Sequence, residues 1–127
     1  MAGTKINHKQ RIRKRTSTSI SQIGFQSIIE FRYNAENIKD PKPLVFVLSK
    51  KGRVLNGINI GYLKEYPIEK LLEETNFKKL KNYSLYEKAF RTYKISDIKS
   101  IKLIEWETSS ARRDRKEEER KTKQLDK

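Results

Sequence analysis

The sequence contains no cysteine, one histidine and one methionine, which is its first residue. Without thiols there is neither a disulfide framework nor a thiolate metal site. His8 stands in a basic segment far in sequence from any acid, so no catalytic dyad is expected on it. Long hydrophobic runs are missing too. The longest, Leu44 to Leu48, suits a strand and falls far short of a membrane span. The basic start lacks the apolar segment of a signal peptide, so a cytoplasmic chain with no membrane partner is expected. "NYS" at Asn82 is then an idle sequon. No glycine loop for phosphates is found, because "GINIG" has neither the spacing nor the lysine. Asp40, Asp97 and Glu105 lie in unrelated segments without the spacing of a metal cluster. No enzyme, metal or cofactor is expected.

What the chain does hold is positive charge. Over 127 residues, 30 Lys and Arg face 16 Asp and Glu, for a net charge of +14 and a hydrophobic fraction of 35%. Such a charge gathers polyanions around a protein, nucleic acid foremost. It is spread unevenly. Residues 1–16 carry +6 with no acid, residues 17–110 carry +5, and residues 111–127 carry +3. The middle also holds every aromatic residue. The expected organisation is a basic arm and joint (1–21), one small domain (22–107) and a charged tail (108–127) that is helical or disordered.

Within the domain, "SIIEFRYN" alternates, with Ile29, Phe31 and Tyr33 on one face of a half-buried strand. A polar loop ending in Pro41 and Pro43 leads to "LVFVLS", a continuous apolar run that reads as a central strand. "KKG" turns into "RVLNGINIGYL", whose glycines signal a bulge, a bend or a close backbone approach. Pro67 suits the first turn of a helix predicted over residues 67–80, with glutamates early and lysines late. This helix and "SLYEKAF" form a helical insertion near residues 67–90. "FRTYKISDIKSIKLIEWE" breaks at "SD" into two further strands. The order predicts a mainly β fold, a small five-stranded antiparallel SH3-like barrel; an α+β sheet with one helix on a face is the alternative.

Residues 25–105 resemble the SH3-like barrels of the WYL-domain type through "FRYN", "PLVFVLSKKGRVLNGINI" and "RTYKISDIKSIKLIE". The Trp-Tyr-Leu triplet of that family is not present, and none of its ligand-contacting residues is carried over. In composition the chain also resembles small lysine-rich proteins of large tailed phages, which implies a virion location if it is phage-encoded.

The candidate binding residues follow from the charge. Lys9, Arg11, Arg13, Lys14 and Arg15 form an acid-free run suited to neutralising phosphates, and such runs are commonly interaction tails. Lys50, Lys51 and Arg53 form a second group at a predicted hairpin tip. Lys78, Lys79 and Lys81 form a third, which compensation of a helix dipole already explains. The expected function is non-specific binding of the nucleic-acid backbone by a non-enzymatic accessory or structural protein. The alternative is a protein-assembly module, such as a phage virion component whose arms clamp neighbouring subunits.

Overall fold

The computed structural model describes residue 6 and residues 8–34, 40–73 and 84–125. Six strands form one open antiparallel sheet: β1 (Ile12–Ser17), β2 (Ile28–Tyr33), β3 (Leu44–Lys51), β4 (Val54–Asn59), β5 (Phe90–Lys94) and β6 (Ile98–Trp106). Their spatial order is β1-β6-β2-β3-β4-β5. The described residues also form the helices α1 (Glu65–Glu73), between β4 and β5, and α2 (Ser109–Leu125), after β6, with short 3-10 turns along the chain. The fold is mainly β, as the sequence predicts, but with six strands rather than five.

The additional strand comes from the segment expected to be an arm. β1 pairs antiparallel with β6 from Ile12↔Trp106 to Ser17↔Lys102. A bond from the Glu107 amide to the Arg11 carbonyl (2.7 Å) carries the contact one step further. Only Ile12 of β1 is partly buried, and every following side chain is exposed. The strand is therefore held by its backbone, which a reading of hydrophobic alternation does not register.

β3 is apolar from Leu44 to Leu48 because both of its faces are covered there. Leu44, Phe46 and Leu48 point into one cluster with Ile58, Ile68, Leu71 and Tyr86, beneath α1 and the 3-10 turn Ser84–Ala89. Val45 and Val47 point into the other, with Ile29, Phe31, Leu55 and Tyr93. In that second cluster the ring of Tyr93 lies 5.2 Å from Phe31 and 5.1 Å from Tyr33, centroid to centroid. The Lys94 amide also donates to the Tyr33 hydroxyl (3.0 Å). β5 and β2 are not neighbours in the ladder, so these contacts require a sheet curled around its second cluster. The curl is helped by register shifts in three of the five ladders.

The predicted helix begins at Glu65, two residues earlier than Pro67, and buries Ile68 and Leu71. Its predicted continuation over 74–80, with the lysines at 78, 79 and 81, lies outside the described residues. The C-terminal tail is helical. Thr108 caps it, its hydroxyl accepting from the Ala111 amide (3.1 Å), and every side chain from Lys116 to Lys121 is exposed.

Candidate functional site

The basic run from Lys9 to Arg15 does not act as one charged string. The 3-10 turn Lys9–Arg11 and the start of β1 distribute its side chains among different environments. Arg11 is 5% exposed. Its guanidinium bonds the Glu65 carboxylate (3.2 and 3.4 Å) and donates to the Glu107 carbonyl (3.2 Å). In return, the Arg11 guanidinium holds the Glu65 carboxyl below the usual carboxylate range. Arg11 therefore ties β1 to α1 and to the end of β6, and its expected role as a freely presented phosphate contact is corrected accordingly. Removing it would strand two partners.

Arg13 lies 3.8 Å from the buried carboxylate of Glu107, and Arg115 of α2 lies 3.2 Å from the same group. The bond to Glu107 raises the Arg115 pKa above the usual guanidinium value. Glu107 thus joins the edge strand to the last helix. Arg15 pairs with Glu30 (3.2 Å) across β6. Lys14 is exposed and points to solvent from β1. Lys9 is exposed on the preceding turn.

The second group lies elsewhere, since β6 and β2 stand between β1 and β3 in the sheet. Lys50 is half-buried and donates to the Ile20 carbonyl (2.7 Å), which gives it a structural task. Lys51 and Arg53 are exposed at the β3–β4 turn.

Sequence reasoning missed the cations that the structure adds to the run. Among the described residues, Arg11, Arg112, Arg113 and Lys116 line a groove of about 460 Å³. Arg112 closes the first turn of α2, which holds no acidic residue, and Arg113 follows it. Cations are unfavourable there, because the positive end of the helix dipole repels them. The signal available in the sequence was "ARRDRK" directly after the last strand. What it lacked was the position of Arg11.

His8 is also drawn into the fold. Its Nε2–H donates to the Leu63 carbonyl (2.9 Å), an atom that only accepts, and its ring lies 5.5 Å from Trp106. Among the described residues, the buried Trp106 indole N–H has no hydrogen-bond partner. Among the described residues, no cluster of three or more His, Asp or Glu could hold a metal ion. No described helix is long and apolar enough to cross a membrane. No family model matches the chain, and no curated protein or solved structure matches it either.

Proposed function

We propose that this chain is a non-enzymatic accessory or structural protein that binds nucleic acid through the phosphate backbone, without sequence specificity. The observation that carries this reading is the groove between the turn Lys9–Arg11 and α2, which Arg112, Arg113 and Lys116 line beside the ion-paired Arg11. Arg112 stands where the helix dipole disfavours positive charge, so it costs the free protein stability that an anion would restore. The net charge of +14 supplies the long-range attraction. The SH3-like barrel belongs to the same proposal, with β2 to β6 as its five strands and β1 added at the edge. It is supported by the order β6-β2-β3-β4-β5 and by the contact of Tyr93 with Phe31.

The test is affinity for a random-sequence single strand and a duplex as KCl is raised. Each engaged cation contributes about 0.7 to the log–log slope on a single strand and about 0.9 on a duplex. Replacing Arg112, Arg113 and Lys116 by Gln should flatten the slope by about 2 and about 3 respectively, by the same rule. A triple variant with an unchanged slope would remove the groove from the interface. Wild-type protein that binds neither form at low salt would end the nucleic-acid reading.

A second reading has its own observation. β1 is an edge strand, so one row of its backbone N–H and C=O groups faces away from β6, as strand addition by a protein partner requires. An assembly module would bind that partner with little salt dependence, since backbone pairing carries the affinity.

A further inference from the structure

On the proposed reading of phosphate binding, we infer that a second concavity beside β1 receives a nucleobase, which makes single-stranded nucleic acid the substrate. This concavity, of about 330 Å³, has a different chemistry from the cationic groove. Ile6, Ile12 and Leu44 give it an apolar wall, and Ile6 is 36% exposed there. Lys9 and Lys42 stand at its rim, together with the paired Arg15 and Glu30. A site for phosphate alone has no use for three aliphatic side chains, and a carboxylate in it would repel the ligand. A lipid headgroup or fatty acid meets the same objection at Glu30. A base satisfies every part: its flat faces lie on aliphatic side chains, its edge N–H groups suit a carboxylate, and its flanking phosphates suit the rim cations. The volume is at the lower end for small-ligand clefts, which suits one ring system and excludes a stack of several.

The placement of the two concavities supports the assignment. Lys9 lines one and Arg11, two residues on, lines the other, so the turn Lys9–Arg11 separates them. A single strand crossing this turn sets phosphates in the groove and one base in the concavity. In a duplex that base is paired and stacked, so it can enter only after being unstacked. The wall is firm, because the Ile6 amide donates to the Gly61 carbonyl (2.7 Å) and Leu44 belongs to the core.

The experiment is fluorescence anisotropy with two labelled single strands of equal length and charge, one intact and one abasic at every position. The intact strand should bind about tenfold more tightly, the lower part of what one stacked base contributes. The salt slopes should be alike, because the phosphates are the same. Ile6→Ser removes an exposed aliphatic wall without changing the charge or the backbone bond. It should weaken the intact strand to the abasic level and leave abasic binding as it was. Equal wild-type affinity for both strands would overturn the base site while leaving phosphate binding standing. Failure to bind either strand at low salt would overturn both.

Discussion

A Cβ atom placed on Gly57 would lie 2.3 Å from Val45 Cγ1 and 2.9 Å from the Phe46 carbonyl oxygen. The second of these is backbone in the adjacent strand, held by the β3–β4 ladder, so it cannot rotate away. Gly57→Ala must therefore push β4 off β3, and the expected loss is about 2–3 kcal/mol, the upper part of the overpacking range. Urea denaturation checks this: the midpoint should fall with an unchanged slope. Gly24→Ala is the control, with no atom within 4 Å of its added methyl and an expected effect near zero. A Gly57→Ala midpoint equal to that of the control would show that the two strands are not packed this closely. A glycine inside a strand pattern already signals close approach, so this position was readable in the sequence. Arg11 was not. It stands in the same acid-free basic run as Arg13, and what distinguishes it is Glu65 and Glu107, 54 and 96 residues away.

At the scale of elements, what could be read was whatever buries a side-chain pattern. β2 alternates and β3 is apolar on both faces, so both were legible from Ile29, Phe31 and the run Leu44–Leu48. β1 buries almost nothing and was read as an arm, although its backbone closes one side of β6. Deleting residues 1–17 is therefore expected to destabilise the fold. Deletion would uncover the β6 edge, withdraw Ile12 from the cluster around Phe46, and leave the buried Glu107 carboxylate without Arg13. The loss of the β1–β6 pairing, of the Ile12 burial and of the Arg11 bond to the Glu107 carbonyl is expected to exceed about 2 kcal/mol. For a domain of this size that lowers Tm by about 8 °C or more. A calorimetric scan of the truncated protein decides the matter, and an unchanged Tm would show that β1 is dispensable to the fold. α2 lies at the other extreme. Its side chains from Lys116 to Lys121 are exposed, and its first turns are anchored by Thr108 and Glu107.

For the molecule as a whole, the net charge of +14 has two consequences of opposite sign. Like charges repel within the folded chain, and the cations along β1 and at the start of α2 concentrate that repulsion on one side. The ion pairs that oppose it converge on few carboxylates, among them Glu30, Glu65 and Glu107. The surface pair Arg15–Glu30 contributes little. Raising KCl from 10 to 150 mM shortens the screening length from about 30 Å to about 8 Å. Repulsion extends over longer distances than the pairs, so it should be screened more strongly, and the Tm of the free protein is expected to rise. The affinity for nucleic acid should fall over the same range, because counterion release weakens as salt increases. A bound strand stabilises the folded state according to its occupancy, so the increment in Tm produced by an added single strand should shrink as the free protein's Tm climbs. Both trends can be followed by melting the protein with and without the strand at each salt concentration. If the free protein's Tm falls with KCl, pairs such as Arg13–Glu107 outweigh the net repulsion, and the positive charge is a stabilised part of the fold rather than an excess awaiting a polyanion.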